Sequence, residues 1–232
     1  MKSGQGKMSN TDSFIDEVND ELRRDRLYAM VRRYGWIAAL AVVLIVGAAA
    51  WSEYRKAQVT AAAQATGDAI LQALRAETPA GRAGLLATIE TNNPQSRAIV
   101  EMLASASAVE ANQPEAALAA LQEIASSGEV PEIYRQIATF KILTMRDSGL
   151  SVSDRRAGFE AIAQPGSAFR LLSEEQLALM DIEALNPDAA IARYQSILQD
   201  AEVSADLQQR ALQVIVALGG TPDLGSLTTA GN

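Results

Sequence analysis

Pro114-Glu115-Ala116-Ala117-Leu118-Ala119-Ala120-Leu121, running on to Ile124, has a counterpart in Pro187-Asp188-Ala189-Ala190-Ile191-Ala192-Arg193-Tyr194, running on to Ile197. Both open on a proline, which is harmless at the first position of a helix because the N–H it lacks would have no partner there. Ser153-Asp154-Arg155-Arg156-Ala157-Gly158-Phe159-Glu160-Ala161 reads as a degenerate third copy. A small residue recurs at Ala117, Ala157 and Ala190, at intervals of 40 and 33 residues. Small side chains let two helices approach closely, and a leucine there would push them apart. A helical hairpin cannot bury its apolar face alone, so recurrent hairpins imply stacking into a solenoid.

Outward from these segments, turn residues recur: Asn92-Asn93-Pro94, Asn112-Gln113-Pro114, Gly128 with Pro131, Ser148-Gly149, Pro165-Gly166, Asn186-Pro187 and Gly219-Gly220. The stretches between them have helical length, and none shows sustained alternation of β-branched residues. Helices are expected over 82–91, 96–111, 114–126, 131–146, 152–163, 167–185, 187–200 and 204–218, joined by short loops into antiparallel hairpins. The fold class is all-α. The second interval lies near the roughly 34-residue tetratricopeptide period, so residues 79–220 read as a tetratricopeptide-like repeat domain. The Trp and Gly-Tyr positions of a strong first helix are missing, and an irregular bundle is the competing arrangement. The last helix reads as a cap ended by Gly219, and residues 221–232 as a flexible tail.

Towards the N-terminus the pattern changes. Trp36 to Trp51 is apolar, inside an uncharged window from Tyr34 to Ser52. Nineteen helical residues rise about 28 Å, close to the ~30 Å hydrocarbon core of a bilayer. Trp36 and Trp51 suit the two headgroup regions, and Arg32 and Arg33 mark the entry side. Arg23, Arg24, Arg26, Arg32 and Arg33 precede the span, and only Arg55 and Lys56 closely follow it. This bias expects a cytoplasmic N-terminus and an exported remainder, because Lys and Arg resist translocation. Residues 34–52 are therefore expected to be a transmembrane helix. Residues 1–10 are expected to be disordered, 11–33 an amphipathic juxtamembrane helix with Phe14, Ile15, Val18 and Leu22 on one face, and 53–78 a helical extension broken at Pro79 and Gly81. Ala48-Ala49-Ala50 also resembles a signal-peptide cleavage site, but the preceding segment is long for one. A buried core helix fits less well, since such helices are rarely apolar all round. Gly35, Ala39, Val43 and Gly47 recur every four residues, a spacing that suits close packing against another membrane helix.

Composition narrows the function classes. The apolar fraction is 48% with only 5% aromatic residues, a mixture that favours close-packed helices over strands. After Lys56 there are eleven Lys plus Arg and twenty-one Asp plus Glu, a formal charge of −10. Nucleic-acid binding needs a basic footprint and is not expected. There is no cysteine and no histidine, which removes disulfides, imidazole bases, Ser-His and Cys-His nucleophile pairs and the usual zinc ligands. Gly4-Gln5-Gly6-Lys7 lacks the spacing of a phosphate loop. Glu174, Glu175, Asp181 and Glu183 form the densest acidic cluster, where a solvated helix face is expected. No catalytic residue, cofactor, metal or small-molecule substrate is expected, and the chain reads as a non-enzyme.

Two further sets of residues carry a resemblance. Asp12-Ser13-Phe14-Ile15-Asp16-Glu17-Val18, Glu21-Leu22-Arg23-Arg24-Asp25-Arg26 and Arg33-Tyr34-Gly35-Trp36 form an acidic-then-arginine helix leading into the span. Gln164-Pro165-Gly166-Ser167-Ala168-Phe169-Arg170 and Leu207-Gln208-Gln209-Arg210-Ala211 follow in the Ala-rich domain. In this order they resemble the YfgM-type ancillary subunit of the bacterial SecYEG translocon, in its alphaproteobacterial form. The resemblance implies a single-pass inner-membrane protein with a periplasmic repeat domain. It also implies protein partners, namely translocon subunits and periplasmic chaperones or exported client chains. An envelope assembly scaffold for another inner-membrane complex, in cell division or respiratory-complex maturation, has the same physics and is the alternative.

Overall fold

The computed structural model describes the backbone of residues 9–223 and the side chains of residues 32–223 other than Ala38. Residues 1–8 and 224–232, which hold most of the expected disordered start and flexible tail, lie outside the described residues. So do the side chains of the expected juxtamembrane face at Phe14, Ile15, Val18 and Leu22. Among the described residues there are nine α-helices and no strand. The chain divides into Met1–Ala62 and Ala63–Asn232.

The first unit is built on α1, which runs Ser9–Leu74. Its apolar part is long enough to cross a membrane by length and composition, and none of that window is buried. Beyond Trp51 the helix needs no neighbours: alanine is the best helix former, and Ala57, Ala61, Ala62, Ala63 and Ala65 follow in quick succession. Lys56 pairs with Glu53 at 2.9 Å, and Gln58 donates to the Tyr54 hydroxyl at 2.7 Å.

In the second unit the last turns of α1 become a packed helix. Ala73 is buried against Leu86 and Ala104, with Ile70 and Leu103 beside them. The packed unit therefore begins before Pro79. Pro79 does not end α1. The Arg75 and Ala76 N–H groups donate to the Gln72 and Ala73 carbonyls in a tightened last turn, and Pro79 is the first residue of the next helix, capped by the Thr78 hydroxyl.

There follow α2 (Pro79–Ala87), α3 (Pro94–Glu110), α4 (Pro114–Ser126), α5 (Glu132–Thr144), α6 (Val152–Ile162), α7 (Arg170–Glu183), α8 (Pro187–Leu198) and α9 (Ala205–Ala217). These bounds lie close to those expected from the turn residues, because Pro79, Pro94, Pro114 and Pro187 each mark a helix start. Asn93, Ser151, Asn186 and Ser204 accept hydrogen bonds from first-turn N–H groups, which would otherwise be orphaned.

From α2 to α9 successive helices pack on one another, and α3 also touches α5. The end of α1, α3, α5, α7 and α9 are the first (A) helices of successive hairpins, and α2, α4, α6 and α8 the second (B) helices. Leu143 of α5 shares a core cluster with Leu177 and Met180 of α7, and Ala178 of α7 shares one with Leu207 and Ala211 of α9. Phe140 of α5 lies edge-on to Phe159 of α6 at 5.7 Å and beside Phe169 at 5.5 Å.

Two A–B turns share one geometry. Asn112 and Leu185 take left-handed φ values of 58° and 59°. The N–H of each donates to the carbonyl three residues back, and the next N–H reaches five back: Gln113 to Ala108 at 2.9 Å, Asn186 to Asp181 at 2.9 Å. This 6→1 closure satisfies carbonyls that the helix end leaves free. Gly219, at φ 83°, closes α9 the same way through Gly220 and Ile215. The α5–α6 turn is longer, and it is where the third copy slips.

Small residues mark the helix crossings. Ala117 and Ala190 are fully buried, and so are Ala98, Ala138, Ala178 and Ala211 of the A helices. Ala157 is not part of this set. It is exposed, as is Ala161 one turn on, and the close approach falls on Gly158, where a Cβ would stand 2.4 Å from Leu143 Cδ2. Buried Phe159 and Ile162 fix the inward face of α6, which places Gly158 towards α5 and turns Ala157 about 100° away. The expected tail is also shorter than 221–232, because Asp223 is held to Gln195 of α8 by two hydrogen bonds.

Candidate partner-binding surface

The acidic cluster of α7 is not a solvated face. Glu175 and Asp181 are 8% and 7% exposed, and arginines from three other helices meet α7. Arg156 of α6 donates to Asp181 Oδ1 at 2.8 Å, and Arg193 of α8 to its Oδ2 at 2.9 Å. Arg193 also reaches Glu174 at 2.7 Å. Arg210 of α9 pairs with both oxygens of Glu175, at 2.8 and 2.9 Å. The fourth member, Glu183, stays exposed. Buried carboxylates need such partners, since unpaired charge is costly away from water. Sequence reading missed this because acids and bases lie 12–35 positions apart, and no local pattern joins them.

The charges tune one another. Burial pulls Arg193 down, but its bonds to Asp181 and Glu174 outweigh this and hold it above the usual arginine value. The Glu175 bond holds Arg210 up as well. Buried Tyr194 is pushed up to about 12 by burial and by the nearby Glu175 carboxylate. These arginines bind helices together, and each carboxylate of the buried pair is already occupied by a guanidinium.

A half-open cleft of about 550 Å³ lies between the α6–α7 loop and the start of α9, lined by Gly166, Ser167, Arg170, Leu171, Glu202 and Leu207 among others. Two of the segments that carry the resemblance form its walls. Arg170 is engaged there by Asp200 at 2.8 and 3.0 Å and by Glu202 at 2.8 Å. Those two carboxylates hold it above the usual arginine value, and its hydrogen bonds hold Asp200 below the usual carboxylate range. The cleft therefore presents a neutralised cation and a surplus carboxylate.

One carboxylate pair lies elsewhere. Glu101 of α3 is pushed up to about 7 by burial and by Glu123 of α4, partly offset by Arg97. Arg97 itself pairs with Glu129 at 3.2 Å.

The A helices carry a different kind of surface. Ile99 of α3, Ile133 of α5, Leu179 of α7 and Val216 of α9 are exposed by 42%, 42%, 39% and 61%. Val109 of α3, Leu85 of α2 and Val152 of α6 are exposed as well, and exposed large apolar side chains suit protein contact.

In the first unit Trp36 and Trp51 are exposed, as are Arg32 and Arg33, with the Arg33 guanidinium 5.9 Å from the Tyr34 ring centre. Gly35 is half-buried, and Ala39 and Gly47 are exposed. A Cβ on Gly47 would meet nothing within 4 Å, so this stripe is uncovered in the single chain. Among the described residues no group of three or more Asp or Glu side chains is placed to hold a metal ion.

Residues 31–147 match the tetratricopeptide repeat-like domain. The matched segment runs from the apolar part of α1 through α5, so the family's pattern includes the membrane-length helix. Comparison with curated proteins and with solved structures finds no match. The α7–α8 hairpin, with its left-handed closure at Leu185 and buried Ala190, lies beyond the matched segment and repeats the geometry of α3–α4 inside it. The chain belongs to the tetratricopeptide repeat-like domain family.

Proposed function

We propose that this chain is a membrane-anchored, non-enzymatic scaffold that binds other proteins through its A helices. The observation that carries the reading is the exposed apolar residue on each of four successive A helices, Ile99, Ile133, Leu179 and Val216. Repeat arrays of this kind bind along extended surfaces made by stacked helices. The apolar part of α1 is the anchor, and the arginine bias around it favours an N-terminus in the cytoplasm and a repeat domain in the periplasm. Within that reading the resemblance of the juxtamembrane and inter-repeat segments favours an ancillary role beside the SecYEG translocon. The bound chains would be exported clients or periplasmic chaperones.

The test is co-purification of the full chain in mild detergent, with partners identified by mass. The variant Ile133→Asp, Leu179→Asp, Val216→Asp keeps its helical content and loses the bound proteins. If the variant retains them, the A-helix surface is not the binding face. Recovery of no SecY-containing complex after crosslinking in the membrane overturns the translocon assignment and leaves the scaffold reading to the first measurement.

A further inference from the structure

After α9 the chain begins a turn like the two earlier ones, and the described residues that follow it, 220–223, are not helical. The closure at Gly219 reproduces that at Asn112 and Leu185. After those two, a proline opens a B helix two positions on, at Pro114 and Pro187. After Gly219, residues 220–223 are non-helical and turn back onto α8.

The place they occupy is informative. Near the N-terminal end, α4 packs on α3, and its Ala117 is buried in one cluster with Ala108 of α3 and Ala83 of α2. A further B helix after α9 would seat in the same way, on α8 and α9. Residues 220–223 lie there instead. A Cβ on Gly220 would stand 2.9 Å from Ile215 Cγ2 of α9 and 3.2 Å from Ile191 Cδ1 of α8, with the Ile215 carbonyl oxygen also at 3.2 Å. A side chain at this position would crowd both isoleucines and the carbonyl, and glycine avoids that. Three residues on, the Gln195 amide takes both backbone groups of Asp223. Its Nε2 donates to the Asp223 carbonyl, and the Asp223 N–H donates to Oε1 at 2.9 Å. A side-chain amide has both a donor and an acceptor, so it can take the N–H and the carbonyl of one residue whatever side chain that residue carries.

We propose that Gly219–Asp223 is a strap that closes the seat of a further B helix, and that its release opens an apolar groove between α8 and α9, floored by Ile191 and Ile215. The left-handed glycine aims the chain back, the second glycine allows close approach, and Gln195 latches the end.

The test is hydrogen exchange on the full chain in detergent, read at the Asp223 amide, across Ile191–Leu198, and in α3 and α4 as a control. In the unaltered chain the Asp223 amide is protected. Gln195→Ala breaks the latch and Gly220→Val forces the strap out by a separate route. Each raises exchange at Asp223 by about tenfold or more and raises it across α8, with α3 and α4 unchanged. An Asp223 amide that exchanges freely in the unaltered chain overturns the strap. Release of Asp223 with α8 unaffected overturns its role as a cover. Gln195→Glu keeps the acceptor for the Asp223 N–H and loses the donor to its carbonyl, so an intermediate rate is expected, and a rate equal to that of the unaltered chain counts against the latch.

Discussion

At the scale of single residues, Leu185 carries the clearest conflict. It is 89% exposed and holds a left-handed φ of 59°, a conformation that costs a residue with a Cβ roughly 1–2 kcal/mol. Asn112 does the same task with a side chain that tolerates it. Leu185→Gly should therefore raise stability by about 1 kcal/mol, read as a higher Tm, with little packing lost. Gly158 is the opposite case. Its missing Cβ is what lets α6 approach Leu143, so Gly158→Ala should cost about 1–3 kcal/mol through overpacking, whereas Ala157→Ser, on the exposed face, should change stability little. Two carboxyls give opposite pH responses. Glu101 is raised from 4.5 to about 7, so between those values the folded chain holds a proton that the unfolded chain releases. Its contribution therefore favours folding on acidification and is lost as pH rises through 7. Glu101→Gln should flatten that part of the stability profile and raise Tm at pH 8. Asp200 is lowered from 3.8. Its contribution is present above that value and disappears as pH falls through the lower folded one, and Asp200→Asn should remove this acid-side loss.

At the scale of elements, α7 is tied by arginines to α6, α8 and α9. Asp181→Ala would leave Arg156 and Arg193 facing a gap, and should cost about 2–4 kcal/mol by thermal denaturation, since removing one side of a buried pair strands the other. In a double-mutant cycle with Arg193→Ala the two losses should be far from additive. Most of the helix pattern was legible in the sequence. Prolines at first positions, capping Asn and Ser residues and turn glycines act locally, so they place helix ends within a few residues. What was not legible is long-range. Ala157 and Gly158 are adjacent and both small, and only the docking of Phe159 and Ile162 decides which faces α5. The α7 acids look solvated until the arginines of α8 and α9 fold back onto them. Ala98, Ala138, Ala178 and Ala211 lie in an alanine-rich chain where nothing local separates a crossing point from an ordinary helical residue.

For the whole molecule, the proposed anchor and orientation make one direct claim. In sealed spheroplasts an added protease should degrade the repeat domain and leave a protected N-terminal fragment ending near Trp51, and carbonate washing should not release the chain from the membrane. Digestion only after the inner membrane is opened would reverse the orientation. The way the helices are joined has a separate consequence for how the molecule comes into being. Nearly all packing is between helices that follow one another in sequence, and α3–α5 skips only one. The chain therefore closes short loops throughout, the condition under which folding is fast. As it emerges from N- to C-terminus, each new helix can dock on one already in place: α2 on the end of α1, α3 on α2, and so on to α9. The arginine ties to α7 from α8 and α9, and the Gln195 latch, form last because their partners are made last. A chain built in this way can fold what has already emerged before the rest of it arrives.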